Sequence, residues 1–440
     1  MGLENVGDLA LHVVLSKLGP KGTALVSCVN KRFKITSSED CLWSKFCSQD
    51  LDLHAPLDPN GNLAPSFKAV YQMWREAFGM YPWPLVKRVK RCWDGLKNWL
   101  TINFPEAKAT LRRGASEAEL QELENVLKVK LPIPTRILYR FCDGQESMGN
   151  DFDSVVGSSL GIIGGYSFYD HLINVYLLPL SQIIQYTKEI THQLSFPSRS
   201  KYILVAASST SSDKYFFLSC ADGQLYVGTI NLVLVEMIPC VPNALISLGN
   251  GVNSAQQQDG MLLWLEEHGR RLQNGIIKIH EDKIRSINLF PEEPPLCCSA
   301  VTNGVKVRAS AVFIPELANL QDDPEKYLFA YSIRMSLLPE GCILNGMTFS
   351  SCQLQWRHWI ICANNVVVSD VNGEAVIGQF PLLLPGEKEF VYQSCAPLQA
   401  TTGSVKGSFT FVPGRLADPK GSPFEVEVPE FPLQRPDYVF

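Results

Sequence analysis

Two glycine-containing motifs in the sequence have the residue types and spacing of catalytic or phosphate-binding loops. The run 157–161, Gly-Ser-Ser-Leu-Gly, matches the G-x-S-x-G pattern that holds a serine nucleophile on a sharp turn between a strand and a helix. The run 164–169 that follows is Gly-Gly and then aromatic, and it cannot form the required helix. We therefore predict that Ser159 is not a nucleophile and that Asp170-His171 is loop or core rather than a general base.

The second motif, Gly373-Glu374-Ala375-Val376-Ile377-Gly378, resembles G-x-G-x-x-G, with Ala375 at the glycine that must approach a pyrophosphate. Dinucleotide folds place this loop between a strand and a helix, whereas both flanks here are strand-like or turn-like. We predict turn glycines. A nucleotide-sensing or small-ligand-sensing protein, or a hydrolase using Ser159, remains an alternative hypothesis, and we expect no cofactor.

A third pattern combines basic and aromatic residues on one helix. Apolar side chains recur at helical spacing from Val86 to Leu100 and predict an amphipathic helix, whose other face carries Lys87, Arg88, Lys90 and Arg91. Cations beside tryptophans are also typical of nucleic-acid sites. The 440-residue chain has a net charge of −5, however, so we favour a solvated face and predict no nucleic-acid partner.

The composition narrows the class of protein. Hydrophobic residues make up 46% and charged residues 19%, which is typical of a globular chain of about three domains. The 13 cysteines are odd in number, lack Cys-x-x-Cys spacing and are scattered, so we expect a reducing compartment and no structural zinc. No signal peptide or uninterrupted apolar span is evident, and we predict an intracellular protein of the cytoplasm, the nucleus or both, without a membrane partner.

Hydrophobic periodicity divides the chain into successive elements. We predict a helical module over 1–50, a connecting segment over 51–85, an α+β domain over 86–272, a linker over 273–299 and an all-β sandwich over 300–440. The Pro-Glu-Glu-Pro-Pro run at 291–295 is the basis for the linker. The predicted fold class is therefore multidomain, with α+β and all-β parts.

The first module resembles an F-box. The resemblance is carried by Val6-Gly7-Asp8-Leu9, by the run 14–21, by the run 29–33 and by Leu42-Trp43. An F-box is a small helical motif that binds the Skp adaptor of a cullin-RING ubiquitin ligase. The expected adaptor-binding or supporting residues are Leu9, Val13, Val14, Leu18, Pro20 and Trp43.

The two later domains also resemble known families. Residues 116–144, with Ser116-Glu117, Leu131-Pro132 and Asp143-Gly144, look like the SUKH (Smi/Knr) superfamily of α+β binding domains. Residues 302–407, with the Gln-Leu-Gln-Trp-Arg-His-Trp run at 353–359, resemble an ApaG domain. That resemblance implies an immunoglobulin-like or fibronectin-like sandwich, and the order of parts resembles the ApaG-bearing F-box proteins.

The resemblance implies a non-catalytic receptor subunit of an SCF (Skp-cullin-F-box) ubiquitin ligase. Its F-box would dock the Skp adaptor and through it the cullin, and its SUKH and ApaG domains would recruit an unknown protein substrate. Aromatic and arginine side chains dominate binding hot spots, so Trp356, Arg357 and Trp359 are the candidates for target binding. The alternating tryptophans could equally pack the core of the sandwich.

Overall fold

A computed structural model describes residues 7–146, 160–193, 201–208, 213–248, 253–281, 285–321 and 327–439. Helices dominate the first third. They are α1 Asp8–Val26, α2 Lys31–Thr36, α3 Asp40–Leu51, α4 Phe67–Phe78, α5 Trp83–Asn103, α6 Pro105–Ala109, α7 Glu117–Leu127, α8 Ile133–Phe141, α9 Leu180–Gln193 and α10 Gly260–Gln273. No helix of the described residues is long and apolar enough to cross a membrane.

Strands dominate the rest of the chain, and they fall into two groups. The middle group is β1 Gly164–Phe168, β2 His171–Leu177, β3 Tyr202–Ser208, β4 Tyr215–Ser219, β5 Leu225–Gly228, β6 Met237–Pro239, β7 Lys278–Glu281 and β8 Arg285–Asn288. The C-terminal group is β9 Cys297–Thr302, β10 Val305–Phe313, β11 Tyr327–Leu337, β12 Cys342–Leu344, β13 Met347–Phe349, β14 Cys352–Ala363, β15 Val366–Glu374, β16 Leu382–Leu383, β17 Phe390–Leu398, β18 Thr402–Arg415, β19 Asp418–Pro419 and β20 Phe424–Gln434.

The N-terminal module extends further along the chain than its sequence pattern indicated. The predicted connecting segment over 51–85 contains α4, which packs on α3 through an aromatic cluster. Trp43 of α3 and Tyr71 of α4 have ring centroids 5.4 Å apart, and Tyr71 also lies 6.2 Å from Trp83 at the start of α5. Three short helices alone bury too little surface to be stable. The shared burial of these rings joins the module to the next domain and supplies part of the missing core.

The middle domain is a sheet flanked by helices, as predicted. Its strand order is β6-β5-β4-β3-β2-β1-β8-β7, with antiparallel neighbours except for the parallel contact of β1 with β8. The run Ser116-Glu117-Ala118-Glu119 predicts a capping box at a helix start, and Asp222-Gly223 predicts the turn of a hairpin. Both predictions are confirmed. Ser116 and Glu119 form the capping box that begins α7, and β4 and β5 form the predicted antiparallel hairpin.

The prediction of a linker over 273–299 is wrong. β7 and β8 form one end of the middle sheet, and β9 begins at Cys297 and pairs with β10. β8 pairs with β1, where Asn288 lies opposite Gly165. Strands of four residues carry little periodicity, and a partner more than a hundred residues upstream leaves no local signal, so only the proline-rich turn after β8 was visible in the sequence.

The C-terminal domain is a two-sheet β structure, in agreement with the predicted fold class. One sheet has the order β17-β11-β10-β9, and the other is built from β15, β14, β18 and β20 in that order. Aromatic side chains fill the space between the sheets. Trp359 lies 6.1 Å from Tyr331 and 5.4 Å from Phe409, in edge-on ring contacts.

A buried charged cluster joins the middle domain to the C-terminal domain. Glu316, in a 3-10 turn after β10, accepts a hydrogen bond of 2.6 Å from the Tyr166 hydroxyl and lies 3.1 Å from His171 Nε2. Lys214 Nζ lies 3.3 Å from the second carboxylate oxygen and donates to Tyr166 at 2.7 Å. Burial alone would raise the pKa of Glu316, but Lys214, His171 and Tyr166 together hold it below its ordinary value.

A buried histidine connects α10 to the chain just before β1 of the middle sheet. His268 stacks on Trp264 with ring centroids 5.2 Å apart, and its Nε2 lies 2.8 Å from the carbonyl oxygen of Ile162. Burial lowers the pKa of His268 from 6.5 to about 4, because the charged ring would lose its hydration. The ring is therefore neutral in the folded protein at physiological pH.

The low pKa of His268 makes the folded state sensitive to acid. Below about pH 6.5 the unfolded chain binds a proton at this histidine that the folded chain binds only near pH 4, so stability present at neutral pH is lost as the pH falls. We expect the free energy of unfolding from urea titrations to decrease by about 2 kcal/mol between pH 7 and pH 5 from this group.

The matched controls are two variants. His268→Phe, which cannot be protonated, should lose that part of the pH dependence, whereas His54→Gln at an exposed site should keep it. An unchanged pH dependence in His268→Phe would contradict the assignment.

Candidate protein-docking surfaces

Helix α1 presents an apolar face that nothing in the described chain covers. Leu11 and Leu15 face inward and are fully buried, while Leu9 on the opposite side is 83% exposed. Val13, Val14 and Leu18 are exposed as well. Four of the six predicted adaptor-docking residues are therefore exposed along the first helix, where they spread over about half of its circumference.

The apolar face continues past a break in α1. Gly19 has a left-handed φ of +71°, which a residue with a Cβ rarely adopts, and Pro20 restarts the helix in a new direction. Leu25, Val29 and Ile35 then add exposed apolar side chains on the second half of α1 and on α2. We call the set Leu9, Val13, Val14, Leu18, Leu25, Val29 and Ile35 the N-terminal apolar surface.

Three residues of this surface were not among the docking residues predicted from the sequence. Leu25 and Val29 belong to an apolar run of the helical module, and such a run suits a core and a partner surface equally well. Ile35 lies in the short helix α2, which was not assigned any surface. The break at Gly19-Pro20 was visible in the sequence and could have indicated that the second apolar run changes direction.

Two predicted docking residues do not lie on this surface. Trp43 is 4% exposed, and its indole Nε1 donates a hydrogen bond of 2.7 Å to the carbonyl oxygen of Ser37. It is a core residue of the helical module, in edge-on contact with Phe46 and in tilted contact with Tyr71. Pro20 is half-buried and shapes the chain at the helix break.

One group of possible metal-binding atoms lies beside this surface. His12 Nδ1 is 3.3 Å from a carboxylate oxygen of Glu39, and the Cys41 thiol is 3.9 Å from the same oxygen. Glu39 and Cys41 are exposed, and the sequence pattern did not predict this group because its members come from two helices. Exposed acidic groups of this kind are common without a metal, so we assign no ion to it.

The three target-binding candidates on β14 face opposite sides of their sheet. Trp356 is 40% exposed, whereas Trp359 is 4% exposed and lies in the core of the sandwich. Arg357 lies on the same side of the strand as Trp359 and is half-buried. The prediction that Trp359 contacts a target is therefore wrong, and the alternative that it packs the sandwich core is correct.

The glycine motif at 373–378 forms a tight turn in which two backbone amides donate hydrogen bonds to carbonyl oxygens of the chain. Ala375 N donates to Gln355 O, and Val376 N and Gln379 N donate to each other's carbonyl oxygens. A strand precedes this turn and no helix follows it, so it lacks the free N–H groups that hold a phosphate at a helix N-terminus. Ser159 lies outside the described residues, and His171 is committed to the Glu316 cluster.

The basic face of α5 is neutralised by nearby carboxylates. Lys87 and Arg91 both pair with Asp52 at 2.6 Å, and Lys90 pairs with Asp94 on the same helix. Arg88 forms an ion pair of 2.6 Å with Glu266 of α10. Three of the four cations that suggested a phosphate-binding patch pair with residues outside α5, and Lys90 pairs within it.

Comparisons with known proteins agree with the two ends of the chain. Residues 318–413 match the family model described as the ApaG domain. The chain is 62% identical, over the whole of both chains, to F-box protein SKIP16 of Arabidopsis thaliana. It is 26% identical to human F-box only protein 3, covering 99% of this chain and 84% of that one. Protein ApaG of Nitrosomonas europaea is 37% identical over 30% of this chain and 91% of its own length.

The opposite placements of the β14 tryptophans predict opposite effects on stability. Trp359→Ala would leave a cavity between the two sheets and should lower the free energy of unfolding of the C-terminal domain by about 3 to 5 kcal/mol. Trp356→Ala removes a side chain from the surface and should change it by less than about 1 kcal/mol. Thermal and urea unfolding of both variants measures the difference, and similar effects would contradict the placement of these side chains.

Proposed function

The chain belongs to the F-box proteins that carry a C-terminal ApaG domain, and on that basis we propose that it is the substrate-recognition subunit of an SCF-type ubiquitin ligase. The proposed partners are the Skp adaptor, the cullin that the adaptor carries, and a protein target. In this proposal the chain catalyses nothing itself. We also retain as a proposal the division into an F-box, a SUKH-like domain and an ApaG domain.

The observation that carries the proposal is the N-terminal apolar surface. Its side chains Leu9, Val13 and Leu18 project from one helix into solvent. Covering them with a partner would be favourable, because it removes apolar surface from water. Monomeric proteins rarely leave so many neighbouring apolar side chains exposed, and such patches mark protein interaction sites. A helical adaptor that inserts apolar side chains against α1 would bury this surface.

The receptor function requires that target and adaptor be held in a fixed relation. The helical module is joined to the middle domain by the Trp43, Tyr71 and Trp83 rings, and the middle domain is joined to the sandwich through Glu316. The N-terminal apolar surface and the sandwich are thus connected through buried contacts. A target bound to the C-terminal domain would therefore stay near the ubiquitin-conjugating enzyme at a high effective concentration.

Substitution of the N-terminal apolar surface tests the proposal. Val13→Asp combined with Leu18→Asp places two carboxylates where apolar side chains would be desolvated, and should weaken binding to a purified Skp adaptor at least about 30-fold. The affinity of the full chain for the adaptor can be measured by calorimetry. Ile102→Asp, at an exposed apolar residue near the end of α5, is the matched control and should bind like the parent.

Circular dichroism and the thermal midpoint must first show that all three proteins fold alike, which is expected because the substituted side chains are exposed. A folded parent that does not bind the adaptor would contradict the proposal. Undiminished binding by the double variant would remove the N-terminal apolar surface from it.

A further inference from the structure

Strand β15 is an open edge with an apolar sequence. Among the described residues it pairs only with β14, along one side. Its first three residues are valines, of which Val366 is 64% exposed, and Val367, Val368 and Val371 are exposed too. A strand edge carries unpaired N–H and C=O groups, and exposed β-branched residues beside them form a template for another strand.

The end strands of the middle sheet and of the β17-β11-β10-β9 sheet are protected. β6 has three residues and ends in Pro239, and β7 has four residues that include Lys278 and Glu281. β17 is covered by β1, where the backbone amide of Ser167 donates to the Gln393 side chain. β9 packs beside β20. These are the usual devices by which proteins prevent unwanted strand pairing, and β15 is the long edge that lacks a cover.

The register of β15 determines which part of the edge is regular. A bulge leaves Val368 without a partner, since Ser369 pairs with Ile361 and Val367 pairs with Cys362. From Ser369 to Glu374 the pairing with β14 is unbroken. A strand added to this edge would therefore align with that six-residue stretch rather than with the whole strand.

The two faces of this stretch differ in charge. Asp370, Asn372 and Glu374 alternate on the outer face, where they lie opposite Ile360, His358 and the exposed Trp356 of β14. Val371 and Gly373 alternate on the inner face, opposite Trp359 and Arg357. Asp370 also lies 2.8 Å from His358 Nε2, and the two carboxylates face solvent beside the open edge.

This pattern selects among possible occupants. A second copy of the chain would bring the same two carboxylates to the edge, and like charges on paired strands are destabilising. An added strand with cationic side chains on the outer face would place them beside Asp370 and Glu374. On the inner face, the Arg357 guanidinium lies 3.7 Å from the position that a Cβ on Gly373 would occupy. Its positive charge disfavours cations on this face, so apolar side chains of the added strand fit there.

We propose that β15 captures an extended segment of a protein target, in which basic and apolar residues alternate, by adding it to the sheet as a further strand. Backbone hydrogen bonds along Ser369–Glu374 supply the attachment, and the carboxylates select basic side chains. This inference deepens the proposed receptor function and rests on it for the claim that the bound segment belongs to a ubiquitination target.

Peptide binding to the full chain, without adaptor or cullin, tests the proposal. The probe is a fluorescent peptide with the core Lys-Val-Lys-Val-Lys, compared with Glu-Val-Glu-Val-Glu by polarisation. The basic peptide should bind and the acidic peptide should bind at least about tenfold more weakly, because two cross-strand charge pairs become repulsive. Asp370→Lys combined with Glu374→Lys should reverse this preference.

The matched control makes the same change of charge elsewhere on the sandwich. Glu340→Lys combined with Asp418→Lys alters two exposed carboxylates away from β15 and should leave both affinities unchanged. Equal effects of the two double variants would mean that the peptide responds only to net charge, and would overturn the proposal.

Two further measurements test the mode of binding. Strand pairing uses every second backbone amide of the added strand. One basic peptide is therefore N-methylated at its lysines and another at its valines. One of the two should lose binding, and the other should bind like the unmodified peptide. Unaltered binding of both methylated peptides would overturn strand addition. If the full chain forms a dimer, and Asp370→Lys combined with Glu374→Lys changes the dimer's affinity, then the edge binds a second copy of the chain instead.

The outcomes are separable from those of the receptor proposal. Peptide binding by a chain that does not bind the Skp adaptor would support the strand-addition site and contradict the ligase role. Adaptor binding without selective peptide binding would leave the receptor proposal intact and remove β15 from it.

Discussion

The junction between the two β domains is built around a buried carboxylate that must keep its partners. Glu316 comes from the C-terminal domain, and its three partners, Tyr166, His171 and Lys214, all come from the middle domain. Removing a partner from a buried ion pair leaves an uncompensated charge, which costs far more than losing a surface pair. The cluster is therefore weakly stabilising when complete and strongly destabilising when incomplete, which favours a single docking geometry over a range of them.

That geometry relates the two surfaces on which the proposed function depends. The N-terminal apolar surface lies on a module whose core is shared with α5 through Tyr71 and Trp83, and β15 lies in the sheet of the sandwich that does not contain β10. Because each junction is buried, binding at one end does not require a loose linker to be ordered first. A receptor of this kind sets the distance from adaptor to target through its own fold.

Local signals predicted the local structure well. Helical periodicity predicted α5, the Ser116–Glu119 pair predicted the start of α7, and Asp222-Gly223 predicted the β4–β5 hairpin, since each rests on residues close in sequence. The resemblance to an F-box and an ApaG domain predicted the order of the domains, and the relationship to F-box proteins confirmed the family.

Non-local pairing accounts for most of what the sequence did not predict. The strands β7 and β8 depend on β1, far upstream, so the chain before Pro291 looked like a linker. The same limit applies to the candidate surfaces. Alternation places Trp356 and Trp359 on opposite faces but does not say which face is covered, and the apolar residues of α1 could serve core or partner equally. The open edge at β15 can be recognised only from the strand order of the sheets, which depends on non-local pairing.

The exposed valines of β15 also favour association between identical molecules through this strand. An uncovered strand of β-branched residues is a nucleus for stacking between identical molecules, and here Asp370 and Glu374 oppose it by electrostatic repulsion. Repulsion between exposed charges weakens as ionic strength rises, because the screening length shortens. These two carboxylates thus oppose such stacking most strongly at low ionic strength, and the bulge at Val368 limits how far any stacked pairing could extend.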